Sequence, residues 1–199
     1  QDIRYAGSDN FLGRPARGYE APACILTRPA ADALAKVRKS IASDGLTLVV
    51  FDCYRPASAV ADFVAWTKQP GPADPRWYPK VKRSDLIAEG YIGEKSSHSR
   101  GSTVDLAIAP LTGPGAPDPA CGAAGTGILD FGTGFDCFDA TSETAHRPLS
   151  FAAEVNRKRL LDEMAAAGFA NYRGEWWHFT LRAEPFKTER FDFPVPAGR

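Results

Sequence analysis

The sequence predicts an α+β fold, with a central antiparallel sheet and flanking helices. Helical-period segments with recognisable caps are interspersed with short apolar or alternating runs, and these runs follow one another as hairpin-like neighbours rather than in strict strand–helix alternation. With 199 residues and 44% hydrophobic composition, the chain can bury one substantial core, so a single domain over 1–199 is expected.

The elements follow in order. Thr27 before Pro29, with Leu34, Val37 and Ile41 at helical spacing and Gly45 closing, reads as a capped helix of about four turns. Leu46 to Phe51 is a nearly all-apolar run, a buried strand, and Asp52-Cys53-Tyr54-Arg55-Pro56 is the turn leaving it. A second helix runs from Ala57 to Lys68 with Val60, Phe63 and Val64 inward, and stops at Pro70-Gly71; the segment to Tyr91 reads as irregular. From Gly101 the pattern alternates, with Val104, Leu106 and Ile108 on one face and Thr103, Asp105 and Ala107 on the other. Asp105 therefore points away from the greasy side, towards a cavity or solvent. Ser150 caps a helix reaching about Ala167, where Leu160, Leu161 and Met164 form the apolar stripe and Gly168 the stop. Phe169 to Leu181 reads as a turn or hairpin entering a last strand.

Lys+Arg and Asp+Glu both number 24, so no basic field argues for nucleic acid and no polybasic run for a membrane surface; a small, roughly neutral ligand fits better. No apolar run reaches transmembrane length, and the chain opens with Gln1-Asp2-Ile3-Arg4 rather than a basic-then-apolar leader, which leads us to expect a soluble chain and is compatible with a removed leader. Four cysteines allow two disulfides, one metal site or four buried thiols, and the absence of any Cys-x-x-Cys spacing lowers the zinc-finger reading. Cys121 and Cys137 bracket a Gly/Pro/Ala-rich stretch that would gain order from a cross-link; Cys24 and Cys53, on neighbouring elements, offer a second. Two bridges would imply an oxidising compartment.

Of the three histidines, two stand beside carboxylates in short segments, Ser96-Ser97-His98 through Asp105 and Glu175-Trp176-Trp177-His178. Two imidazoles and one carboxylate leave a fourth tetrahedral position for water, the arrangement of catalytic zinc, and His98, Asp105 and His178 can supply it. Hydrolysis also needs a base, for which Glu175 is the candidate. Positions three apart on a strand have opposite parity, so Glu175 is expected in a turn before the strand, with Gly174 making the turn. Trp176 and Trp177 would then wall the site. Arg55, on a Tyr-Arg-Pro turn, can face the oxyanion of a tetrahedral intermediate. Each of these has a plainer reading: a histidine in a Ser/Gly-rich loop is usually only hydrogen-bonded, and an Arg before Pro is commonly solvated. His146 could also offer a ligand, but two better-placed histidines weaken its claim.

Taken together, these residues resemble the VanX-type D-alanyl-D-alanine dipeptidases, zinc enzymes that cleave free D-Ala-D-Ala and are similar in fold to D-Ala-D-Ala carboxypeptidases and the hedgehog signalling domain. The correspondence runs nearly end to end: Arg4-Tyr5-Ala6 with Asp9-Asn10-Phe11, Gly18-Tyr19-Glu20, Tyr54-Arg55-Pro56, Lys95 through Ser102 leading to Asp105-Leu106, Gly132-Thr133 with Phe135-Asp136, Ser142 with His146, Glu175 through His178, and Phe191-Asp192-Phe193-Pro194. The resemblance implies His98, Asp105 and His178 as ligands of one Zn2+, Glu175 as base, Arg55 as transition-state clamp, and Ser96, Tyr5 and Asp136 as holding the dipeptide, the last two near its ammonium group. A pocket closed at both ends would reject longer peptides. The alternative within the resemblance is a zinc D,D-carboxypeptidase acting on peptidoglycan stem peptides; a third reading is a non-catalytic metal-stabilised binding module, which the presence of Glu175 disfavours. The stretch from Pro110 to Gly127 departs from the family by its length, and anchored by Cys121 it could reshape the pocket mouth. The cysteines fit an exported, periplasmic or secreted form better than a cytoplasmic resistance enzyme.

Overall fold

The computed structural model describes residues 1–123 and 127–196. Its sheet has the order β1-β2-β4-β3, every pair antiparallel, with β1 at Leu46–Asp52, β2 at Thr103–Pro110, β3 at Phe169–Asn171 and β4 at His178–Leu181. The expected α+β architecture with an antiparallel sheet is what forms. β2 lies centrally and is buried on both faces: Thr103, Asp105 and Ala107 are as inaccessible as Val104, Leu106 and Ile108. The second face of β2 therefore looks into the protein's interior and a cavity, not into solvent.

Helix α1 (Arg28–Ala42) packs on β1 and against α3 (Phe151–Ala166), which also covers β2 and β3. Ser150 caps α3 as predicted, its Oγ accepting from the Ala153 N–H at 3.0 Å. Thr27 occupies the N-cap position of α1 without capping through its side chain; its hydroxyl instead pairs with Ser102 Oγ at 2.7 Å, tying the helix start to the residue before β2. Buried Arg157 of α3 donates to the carbonyls of Phe131, Thr141 and Glu143, which anchors the irregular 131–143 segment. Helix α2 (Ala57–Thr67) presents Phe63 and Trp66 to Phe11, with ring centroids 5.0 Å apart in both pairs, and this aromatic cluster extends to Tyr5 and Phe138.

Both predicted disulfides, Cys24–Cys53 and Cys121–Cys137, are formed, and no cysteine is free. Of the Gly/Pro/Ala-rich stretch, residues 124–126 lie outside the described ones. No helix among the described residues is long and apolar enough to cross a membrane.

Candidate active site

The site begins with a row of three residues across the sheet. Asp105 of β2 pairs in register with His178, the first residue of β4, and directly opposed residues project on the same face. On the other side Asp52 pairs with the same Asp105, because the register slips between Val50 and Asp52 and leaves Phe51 as an extra residue. That bulge places the Asp52 carboxylate beside Asp105, fully buried.

His98 reaches the row from a short 3-10 helix, Ser97–Arg100, that ends at Gly101 in left-handed conformation (φ 75°) immediately before β2. Ser96 caps it, accepting from the His98 N–H. His98 Nδ1–H donates to the Cys53 carbonyl at 2.6 Å, which turns Nε2 towards Asp105 Oδ2 (3.2 Å) and His178 Nδ1 (3.3 Å). The other ring nitrogen of His178 lies 3.2 Å from Ser97 Oγ. Asp105 Oδ1 is 3.1 Å from His178 Nδ1, yet it is buried and makes no hydrogen bond.

Donor atoms of His98, Asp105 and His178 all lie within 4.8 Å of one another. Two ring nitrogens 3.3 Å apart beside a buried carboxylate oxygen without a hydrogen bond make a compact group that positive charge would stabilise, and two imidazoles with one carboxylate is a donor set suited to a divalent metal. The residues fit a metal, and among the described residues they are the one such group. His146 is outside it and does not line the cavity.

Glu175 sits in the turn before β4, as parity required: its N–H donates to the Tyr172 carbonyl, and its own carbonyl accepts from the His178 N–H. This turn brings Glu175 Oε2 to 3.4 Å from His178 Nδ1. Burial pushes the Glu175 carboxyl up to about 7, with Asp105 adding to the rise and His178 and Arg55 opposing it. Asp105 goes the other way; burial opposes its ionisation, but His98 and His178 together outweigh that and hold it below the usual carboxylate range.

Arg55 follows β1 and is anchored on three sides. Its Nε donates to Asp52 at 2.9 Å, Nη2 lies 3.6 Å from Asp105, and its guanidinium stands 4.9 Å from the Tyr5 ring centroid and 5.1 Å from that of Phe63. Asp52 is the hub, also accepting from Tyr19 Oη–H at 2.6 Å. Asp136 accepts from Tyr5 Oη–H at 2.7 Å, and burial pushes its carboxyl well above the usual range.

These groups surround a cavity of about 260 Å³, lined by Tyr5, Arg55, Ser96, His98, Asp105, Asp136, Glu175 and His178, with Phe11, Phe63, Tyr91, Lys95, Phe138 and Tyr172 among the rest. All eight predicted site residues thus meet in one place. The volume is below the roughly 300–1,000 Å³ of sites for drug-sized ligands, so a very small molecule fits.

One expectation is corrected. Trp176 and Trp177 do not wall the site: Trp176 stacks on Phe131 with centroids 4.2 Å apart and donates from Nε1 to Thr133, while Trp177 packs against Phe135. They precede β4 and turn into the core, where an indole N–H can find a partner. No described residue of 110–127 lines the cavity; the stretch is joined to the residue after Asp136 by the Cys121–Cys137 bond. Sequence reasoning also passed over Asp52, although a lone acid ending an apolar run, three residues before an Arg, was a usable signal.

A family model described as D-ala-D-ala dipeptidase matches residues 1–196. Among curated proteins, the D-alanyl-D-alanine dipeptidases of Enterococcus faecium and Streptomyces coelicolor are each 39% identical over 197 residues, covering 98% of this chain and 91% of theirs. That of Escherichia coli is 33% identical over 200 residues, covering 99% of this chain and 88% of its own. With a family match across nearly its whole length and relatives of this identity, the chain belongs to the D-Ala-D-Ala dipeptidase family of peptidases.

Proposed function

We propose that this chain hydrolyses the dipeptide D-Ala-D-Ala to two D-Ala at a zinc centre held by His98, Asp105 and His178. The observation that carries the proposal is the convergence of those three donors beside a half-buried glutamate whose carboxyl is pushed up to about 7. The names of the relatives supply the substrate. Zinc suits the donors, two imidazole nitrogens and one carboxylate oxygen with a position left for a reactant. When bound there it supplies Lewis acidity, polarising a carbonyl and acidifying water.

The remaining steps belong to the chain. Glu175 takes the proton of the attacking water and delivers it to the departing amine, a role suited to a carboxyl near the working pH. Arg55, pre-oriented by Asp52, presents its guanidinium to the oxyanion. Asp136 and Tyr5 receive the substrate ammonium: a buried carboxylate with one side-chain hydrogen bond gains a partner from a cation and rejects a neutral N-acyl group. Ser96 contributes a hydroxyl to dipeptide binding. Two disulfides and no free cysteine support an oxidising, extracytoplasmic location.

The test is a hydrolysis assay on D-Ala-D-Ala, L-Ala-L-Ala and a tripeptide ending in D-Ala-D-Ala, with and without chelator, alongside metal analysis. We expect chelator-sensitive cleavage of D-Ala-D-Ala alone. Glu175→Ala should keep its metal and lose about 10²–10⁴-fold in kcat. Faster cleavage of the tripeptide would replace this reading with a carboxypeptidase, and full turnover by Glu175→Ala would remove that residue from the mechanism.

A further inference from the structure

Asp136 is, among the described residues, the one non-glycine residue with left-handed backbone, at φ 57°. Its carboxylate has a single side-chain hydrogen bond, from Tyr5. The direction of that carboxylate is therefore set mainly by the main chain, and the main chain is pinned on both sides. Before it, Phe135 exchanges backbone hydrogen bonds of 2.7 and 3.3 Å with Ala123, Gly134 N–H donates to the Cys121 carbonyl at 2.8 Å, and the Phe135 ring stacks on Phe51. The two backbones run so close that a Cβ on Gly134 would lie 2.3 Å from the Ala123 carbonyl oxygen. After it comes Cys137, bonded to Cys121, with its carbonyl accepting from Ser142 Oγ–H at 2.6 Å.

We propose that Cys121 and Cys137 are positioning residues for recognition of the substrate ammonium: their disulfide locks residues 121–123 against 134–137 and so holds Asp136 in the left-handed conformation that aims its carboxylate into the cavity. The proposal rests on the reading of Asp136 as the ammonium acceptor. Left-handed backbone is disfavoured roughly tenfold for most residues bearing a Cβ and less for Asp, so an unpinned Asp136 would leave it for part of the time. A binding-competent conformation populated for only a fraction of the time weakens apparent affinity by that fraction. Opening the cross-link should therefore act on KM and leave the reacting groups, which sit on other elements, untouched. The cysteine-bearing stretch thus shapes the site through Asp136 and contributes no lining side chain of its own among the described residues.

The experiment compares D-Ala-D-Ala with (R)-lactoyl-D-alanine, in which a hydroxyl replaces the ammonium, on the metal-loaded wild type, Cys121→Ser/Cys137→Ser and Asp136→Asn, with kcat and KM measured separately. We expect the double cysteine variant to raise KM for D-Ala-D-Ala up to about tenfold while kcat, and KM for the hydroxyl analogue, change less than about twofold. An unchanged KM, or an equal rise for both substrates, overturns the proposal. If serine at buried position 137 prevents folding, Cys121→Ala/Cys137→Ala, which leaves no hydroxyl to desolvate, carries the same comparison. Asp136→Asn separates the two levels. If it leaves the preference for the ammonium substrate intact, the reading of Asp136 has failed; if it abolishes that preference while the cysteine variants keep it, only the positioning role has failed.

Discussion

Asp136, buried, and Glu175, half-buried, are both carboxyls with raised pKa, and the shift has opposite uses. For Glu175 the consequence is kinetic: it must be ionised to accept a proton, so kcat/KM should fall about tenfold per pH unit on the acid side. Burial, opposed by His178 and Arg55 and reinforced by Asp105, sets the midpoint near 7, and a cation held by its neighbours favours the ionised form, so the acid limb of the loaded enzyme is expected at or below pH 7. A limb centred well above 7 would assign it to a different group. For Asp136 the consequence is thermodynamic. Its folded pKa lies above the value near 3.9 of an unfolded Asp, so its contribution to stability is full below that value and is lost as pH rises through the folded pKa. Asp136→Asn removes a charge the fold does not compensate, while its amide oxygen can still accept from Tyr5. Thermal melts should show the variant more stable than wild type at pH 8, with the gain shrinking towards pH 4. A gain that did not vary with pH would mean that ionisation of Asp136 is not the cause.

At the scale of elements, the sequence was readable where period and punctuation agree. Helices α1, α2 and α3 were bounded to within a residue or two by Pro29, Pro70-Gly71, Ser150 and Gly168, and the alternation through Thr103–Pro110 put Asp105 on the correct face of β2. What escaped has local physical reasons. The run Leu46–Phe51 is apolar on both faces, so nothing in it marks the bulge at Phe51 that turns Asp52 towards Asp105. The 3-10 helix carrying His98 is four residues long, too short for any periodicity. An adjacent Trp pair gives no direction, and both indoles went to the core. The Cys24–Cys53 bridge ties the segment before α1 to the residue after β1 and so to the proposed metal site, because the Cys53 carbonyl is the acceptor that orients His98. Replacing it by Cys24→Ala/Cys53→Ala opens a 29-residue separation, which should lower stability by about 3 kcal/mol and the melting temperature by roughly 6–12 °C. Loss of an outer hydrogen bond to a ligand weakens metal binding by about 10–100-fold, and competition with a chelating dye would read it. Destabilisation with unaltered metal affinity would show that the carbonyl stays in place without the cross-link.

Across the whole molecule, the series of short motifs identified the family from sequence, whereas the closure of the cavity depends on rings that no motif announces. Phe63 enters it from α2, Phe138 from beyond Asp136, and Tyr172 from the β3–β4 connection. The donors of the proposed metal site are similarly dispersed: His98 precedes β2, Asp105 lies within it and His178 opens β4, so a cation bound there would join segments separated by 80 residues of chain. In the absence of a cation the native state must hold two imidazoles and a buried carboxylate face to face, while the unfolded chain solvates each separately. Metal binding at the proposed site would therefore couple to folding. At free metal about 1,000 times the dissociation constant, binding to the native state alone adds roughly 4 kcal/mol, a rise of about 8–16 °C in melting temperature for a chain of this size. Melts run with added zinc, with chelator, and on Asp105→Asn should show that rise for the wild type and most of it lost in the variant. A wild-type melting temperature indifferent to chelator, on protein shown by elemental analysis to have lost its metal, would mean that the three donors do not share a cation in the folded state.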